Sequence, residues 1–208
     1  MRRTKEDAAR TRAAIVDAAL DCFDRHGIAG STLDQIAAAA GVTKGAIYHH
    51  FRGKRELFHE IREQVTLPLL DDADTGMLRG TGAPALERVE AFLLGTLRML
   101  QGDRRTRCAL TVMQFKCEYV DDLAGELAGG LRANRRLVKA FEAAYREARA
   151  AGQMRADLEP EWCALETALF LSGLVRLWIL HGARSRLRAH ADELVRSHVR
   201  TRRRDQNR

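Results

Sequence analysis

The sequence predicts an all-α fold of about nine helices, with a three-helix module at the N-terminus and a larger helical part behind it. Three observations carry this. Only three prolines interrupt 208 residues, and apolar side chains recur three and four positions apart through most of the chain. Clusters of glycine and aspartate break that pattern at helix-length intervals. No stretch alternates apolar and polar residues as a half-buried strand does, and no repeat or low-complexity tract is present.

Ile15, Ala18, Ala19, Cys22 and Phe23 trace the apolar face of the first helix, which Gly27 and Gly30 end. Thr32 and Gln35 then stand as an S/T-x-x-E/Q capping box at the start of a second helix. Gly41 stops it, and Thr43 is the N-cap of a third helix running to His50 or Phe51. Gly53 breaks the chain, and Lys54 opens a long helix through about Leu70. Residues 71–83 read as a polar, glycine-bearing loop. Further helices are predicted near 84–101, 105–121, 123–151, 160–182 and 186–203. The domain reading is 1–53 for the small module and 54–208 for the larger domain, with the helix over 54–70 joining them.

Composition excludes more than it selects. Hydrophobic residues at 46% and charged residues at 30% are ordinary for a globular chain, while a net charge of +7 points to an anionic partner. Nucleic acid is the first candidate and a membrane surface the competitor. The charged opening is not followed by the apolar core of a signal peptide. The apolar run from Ala164 to Leu180 carries Glu166 and Arg176 and reads as too short and too charged to span a bilayer. A cytoplasmic protein with no membrane contact is the expectation. Cys22, Cys108, Cys117 and Cys163 form no C-x-x-C pair and no histidine cluster joins them, so neither a metal nor another cofactor is predicted. If Cys108 and Cys117 share a helix, nine residues at about 100° each put them on opposite faces, unable to bridge. The thiols read as buried and reduced, with a redox sensor as the alternative. No glycine-rich phosphate loop, Ser-His-Asp order or paired metal ligands are present, and the seven histidines are scattered, so an enzyme is not expected.

Two short helices joined by a glycine turn have the form of a helix-turn-helix. The second of them begins with the Thr43 hydroxyl, the Lys44 ammonium and Gly45, where a backbone can approach closely. Free N–H groups and the positive helix end favour phosphate there. Tyr48, His49 and His50 add groups able to reach phosphates or base edges, and Lys54 adds a further phosphate contact. Tyr48 and His50 have a packing reading as well, and His50 also a capping one. Arg2, Arg3 and Lys5 make a basic arm, either solvated or entering the minor groove.

The stretch from Thr11 to Phe58, above all from Thr32 onward, resembles the DNA-binding domain of the TetR family of regulators. Ile36, Ala37, Ala40, Val42, Ile47, Phe51, Leu57 and Phe58 fit that family's packing positions. The resemblance implies contact with double-stranded operator DNA by Thr32, Thr43, Lys44, Gly45, Tyr48, His49, His50 and Lys54. Farther on, Arg104 to Arg107, Phe115 to Glu118 and Ser172 to Trp178 resemble the AcrR-like subgroup, whose members repress multidrug efflux pumps. The chain departs from that pattern at His49, where the subgroup often carries Trp.

The expected protein is therefore a homodimeric repressor, released from a palindromic operator by a small hydrophobic or aromatic inducer. A regulator of a lipid or catabolic pathway is the alternative, and a ligand-independent architectural DNA-binding protein a third reading.

Ser172 and Arg176, four apart in an apolar helix, share one face, and a buried arginine needs a carboxylate, carbonyls or a ligand; Glu118 is one possible partner. Projection of the resemblance implies an inducer pocket lined by Val65, Leu69, Thr96, Leu110 and Gln114. Leu137, Phe141, Leu171, Ser172, Val175 and Arg176 complete it, although any one of the apolar residues also reads as plain core. The resemblance places the dimer interface on the last two helices, where Trp162, Leu169, Trp178, Ile179, Leu187 and Leu194 supply apolar surface. The final basic run from Arg200 to Arg204 reads as a frayed, solvated tail.

Overall fold

A computed structural model describes residues 5–70, 78, 80, 82–120, 123–182 and 184–204, with the side chains of 65–70 left aside. These residues form ten helices and no strand. They are α1 (Lys5–Gly30), α2 (Leu33–Ala40), α3 (Lys44–His50), α4 (Lys54–Leu70), α5 (Ala85–Gly102), α6 (Arg104–Phe115), α7 (Ala124–Ala150), α8 (Pro160–Leu180), α9 (Arg186–Ala189) and α10 (Ala191–Arg200). The basic arm at Arg2 and Arg3 and most of the loop over 71–83 lie outside the described residues. One helix expected over 186–203 is two, parted at His190. The chain divides into two compact units, Met1–Leu67 with Arg105–Gly129, and Pro68–Arg104 with Gly130–Arg208.

In the first unit α1 packs on α2 and α2 on α3, with Ile15, Ala19, Phe23, Ile36, Ile47, Phe51, Leu57, Phe58 and Ile61 buried. Helix α1 continues to Gly30 across a kink at Gly27, whose φ of 71° is a conformation that glycine adopts without strain. Arg12 donates to Glu60 at 2.7 Å and lies 4.7 Å over the Phe51 ring, tying α1 to the start of α4 and the end of α3. That guanidinium holds the Glu60 carboxyl down to about 2.

Helix α6 stops at Phe115, six residues short of the expected end. Tertiary bonds take over at that point. Lys116 donates to the main-chain oxygen of Asp24 and, at 2.8 Å, to its carboxylate, while Ile28 N–H donates to Lys116 O. Tyr119 turns back to donate to Met113 O at 2.8 Å. The run from Phe115 to Glu118 is thus a docking segment against the end of α1. Cys117 lies beyond the helix, so the opposite-face argument for Cys108 and Cys117 loses its premise. None of the four cysteines is in a disulfide; Cys22 and Cys163 are buried, the other two half-buried. Burial pushes the Cys22, Cys117 and Cys163 thiols up, away from the reactive thiolate.

A second tertiary lock joins α4 to α7 within the same unit. Arg62 is buried, pairs with Glu126 at 3.0 Å and with Glu63 at 2.7 Å, and donates to Glu126 O at 2.8 Å. Gly129 sits directly against the Arg62 guanidinium, where a Cβ would collide with it.

In the second unit α5 packs on α10, and α9 touches α8 and α10. The Phe92 and Phe141 rings meet edge to face at 5.5 Å. Arg88 is buried but fully engaged, donating to Leu78 O, Ala83 O and Glu147. The segment from Thr201 to Arg204 after α10 is ordered rather than frayed. Arg202 is buried and donates to Glu166, while Arg155 N–H donates to Arg202 O and Arg204 N–H to Gln153 O. The backbone hydrogen bonds, not the basic charge, decide the fate of this segment.

Helix α8 begins four residues before the apolar run and reaches 21 residues, with a mean hydropathy of 1.6 over its most apolar stretch. By length and composition alone it passes as a membrane span, a test that the core helix of a soluble protein passes as well. One of its faces, with Cys163, Ala164, Thr167, Ala168, Leu171, Leu174, Val175 and Trp178, is buried.

That buried face carries a polar thread. Tyr145 and Thr167 share a hydrogen bond of 2.7 Å, Thr167 and His198 one of 2.9 Å, and His198 stacks on Phe170 at 4.2 Å. Burial, with repulsion from Arg202, pushes His198 down to about 4. The unfolded chain therefore takes up this proton from about pH 6.5 downward, and the folded chain only near 4. Stability is retained above pH 6.5 and lost as pH falls from 6.5 to 4, by roughly 2 kcal/mol after allowance for solvent screening. Urea unfolding at pH 7 and pH 4 should show this loss, and His198→Asn should flatten it by that amount.

Candidate DNA-reading site

The turn between α2 and α3 is built by its caps. Thr32 Oγ1 accepts from Gln35 N–H at 3.2 Å while Gln35 Oε1 accepts from Thr32 N–H at 2.8 Å, the reciprocal box read from the sequence. Gly41 takes φ 66° and its N–H closes α2 onto Ala37 and Ala38 oxygens. Two residues later Thr43 Oγ1 accepts from Ala46 N–H at 3.2 Å and starts α3. Ile47 is the buried anchor of α3.

With Ile47 turned in, most of α3 faces outward. Thr43, Lys44, Gly45 and His49 are exposed, and Tyr48 is 56% exposed, more than packing of a tyrosine requires. Lys44 pairs with Asp34 at 2.9 Å in the open, and that carboxylate raises the ammonium's pKa. Such an exposed pair is weak and exchanges readily for a phosphate. Thr32 is exposed beside its capping role. His50 is half-buried with its ring 6.5 Å from Phe51, which places it at the edge of the module.

Lys54 is a correction. Expected to take a phosphate, it points inward and donates to Ile28 O at 2.8 Å, Ala29 O at 3.2 Å and Ser31 O at 2.8 Å. All three ammonium protons are used on the carbonyl end of α1, as a cation favoured at a helix C-terminus should be. The pattern of a Lys after Gly53 showed only where the charge begins, not which way it turns.

The inducer-lining residues separate into groups. Val65 and Leu69 have side chains outside the described residues. In the first unit Leu110 is buried and Gln114 half-buried. In the second, Phe141, Leu171 and Val175 are buried and Leu137 half-buried, while Thr96 is buried with its hydroxyl on Phe92 O at 3.1 Å. Ser172 and Arg176 do share a face of α8, but it is the exposed one. They continue a stripe with Trp162 (67% exposed), Leu165, Leu169 (73%) and Leu180. The premise of a buried Arg176 therefore fails, because the apolar run has two apolar faces and only one is covered. Trp178 lies on the covered face, 3% exposed, under the Arg188 guanidinium, and leaves the proposed dimer surface.

Comparison with known proteins agrees with this arrangement. Residues 15–61 match the model described as bacterial regulatory proteins, tetR family, and residues 84–202 the model described as MAATS-type transcriptional repressor, C-terminal region. The HTH-type transcriptional regulator TtgR of Pseudomonas putida is 34% identical over 184 residues, covering 86% of this chain and 85% of that protein. Among solved structures, NalD, the secondary repressor of the MexAB-OprM multidrug efflux pump in Pseudomonas aeruginosa, superposes with a TM-score of 0.84 at 27% identity, over 97% of this chain and 100% of that one. The SmeT–triclosan complex gives 0.80 at 26% identity, over 94% and 93%.

Proposed function

Because the chain belongs to the TetR family of bacterial regulatory proteins, we propose that it is a cytoplasmic repressor of a multidrug efflux operon, released from its operator by an apolar or aromatic ligand. The observation that carries the DNA half is the exposure of Thr43, Lys44, Gly45, Tyr48 and His49 on a helix anchored from behind by Ile47. Thr32 and His50 flank this set as further contacts. The efflux half is supported by the relatives, since NalD is named for repressing a pump and SmeT is seen with triclosan.

The functional division falls near residue 53, so that α1 to α3 read DNA and the rest binds ligand and partner. The protein works as a homodimer through the exposed stripe of α8 and the last helix, where Trp162, Leu165, Leu169 and Leu194 leave more apolar surface uncovered than scattered surface residues do. Ser172 and Arg176 belong to this stripe rather than to the ligand. Two reading helices about 34–36 Å apart then match a palindromic operator. Within the second unit, Thr96, Leu137, Phe141, Leu171 and Val175 supply the ligand's apolar surroundings. The ligand acts by fitting a state whose α4 is displaced, and only its difference in affinity between the two states moves the protein off DNA. No catalytic role is assigned.

The test is footprinting of the intergenic DNA beside the gene with and without a panel of apolar aromatic drugs. A protected palindrome lost on drug addition is expected. Protection indifferent to every drug, or binding without a defined site, would count against the reading.

A further inference from the structure

A cleft of about 1190 Å³ lies wholly within the first unit, apart from every residue assigned above to inducer, DNA or partner except Lys54. One wall is the last stretch of α1 from Arg25 to Ala29, a second is Arg52 to Glu56 with His59 at the opening of α4, and a third is the docking segment from Phe115 to Glu118 with Val120, Leu123 and Glu126. Its volume is on the scale of small-molecule pockets, which run about 300–1,000 Å³.

Two chemistries meet in it. Ile28, Phe115, Val120 and Leu123 give an apolar surface, and Val120 is left 57% exposed on the wall. Among the described residues the charged lining is unbalanced once existing bonds are counted. Lys54 and Lys116 are committed to carbonyl oxygens and Asp24. Glu126 is committed to Arg62, and Glu56 accepts from the Arg52 N–H. Arg25, Arg52 and Arg55 are lining residues in no ion pair among the described residues, against Glu118 as the lining acid in the same condition. Guanidinium forks beside an apolar wall suit a ligand with a flat apolar body and a carboxylate or sulfonate head.

We propose that this cleft is a binding site for aromatic organic anions, separate from the apolar surroundings of the inducer in the second unit. The Arg25 and Arg55 side chains hold the anionic head, and Val120 with Leu123 receives the rings. This inference does not depend on the operator reading, because occupancy is measured without DNA.

The probe is anilinonaphthalene sulfonate, followed by its fluorescence on the full-length protein, with phenylnaphthylamine as its uncharged counterpart. In Arg25→Ala/Arg55→Ala the sulfonate probe should lose about tenfold or more in affinity, the scale of two charge-assisted bonds, with the uncharged probe nearly unmoved. Both arginines are exposed, so the unfolding midpoint should stay in place and the loss be assignable to the cleft. Val120→Asp should weaken both probes. Unchanged sulfonate affinity in the double variant would overturn the proposal, as would equal loss of both probes there or indifference of both to Val120→Asp. If the arginines serve only a DNA backbone, the first of these outcomes is the one observed.

Discussion

Replacing Arg62 by alanine is expected to lower the unfolding free energy by about 3 kcal/mol, the largest effect of any single side chain outside the apolar core. Arg62 and Glu126 are each less than a tenth exposed, at 3.0 Å, and the same guanidinium satisfies Glu126 O. Removing it leaves a carboxylate and a carbonyl buried without their partner, with only the His59 ring still at 3.2 Å from the carboxylate. Desolvation then acts uncompensated, the situation in which a broken buried pair costs far more than the pair itself contributes. Urea unfolding measures this directly. The double variant Arg62→Leu/Glu126→Leu should recover most of the loss, since two apolar side chains have no charge to strand. Gly129→Ala should move stability in the same direction, because its Cβ displaces the guanidinium.

The second large effect is expected at Lys54, where methionine should cost about 2 kcal/mol of stability, the scale of hydrogen bonds made by a charged group. The ammonium closes three carbonyls at the end of α1, a region where Gly27 has already interrupted the helix ladder. Without it Ile28 O keeps only the Ser31 N–H at 3.4 Å, Ala29 O and Ser31 O lose this donor, and the α1–α4 junction loosens. The same variant should leave the salt dependence of DNA binding unchanged, since no ammonium proton of Lys54 is left for phosphate. Thermal unfolding and DNA titration of one protein sample separate the two statements. A loss of salt dependence with full stability would restore the role expected from sequence.

The contrast between Lys44 and Lys54 shows what the chain discloses before folding and what it withholds. Local chemistry was legible: the Thr32–Gln35 box, the turn at Gly41 and the Thr43 cap depend on residues three to five apart, and all form as read. So were the four N-terminal helices, whose apolar periodicity and breakers lie within each segment. Direction was not legible. Lys54 turns inward because the end of α1, more than twenty residues earlier, needs donors. Helix α6 stops at Phe115 because Asp24 and Ile28 wait for Lys116. Arg202 is buried because its backbone meets Arg155 and its side chain Glu166, although a basic tail gives no local sign of order. Ser172 and Arg176 were rightly put on one face of α8, but an all-round apolar helix does not reveal which face the protein covers. Each miss is a long-range partner that no window of the sequence contains.

The central claim is that α3 carries the DNA contact through side chains held outward by Ile47 and already near an anion. Lys44 is its sharpest point, because its exposed pair with Asp34 leaves it free to change partner. The most direct measurement is fluorescence anisotropy of an operator duplex against salt concentration, for the natural protein and for Lys44→Ala. The account predicts weaker binding at every sequence tested and a log–log salt slope reduced by about one unit, one released counterion fewer. An unchanged slope with unchanged affinity would contradict it.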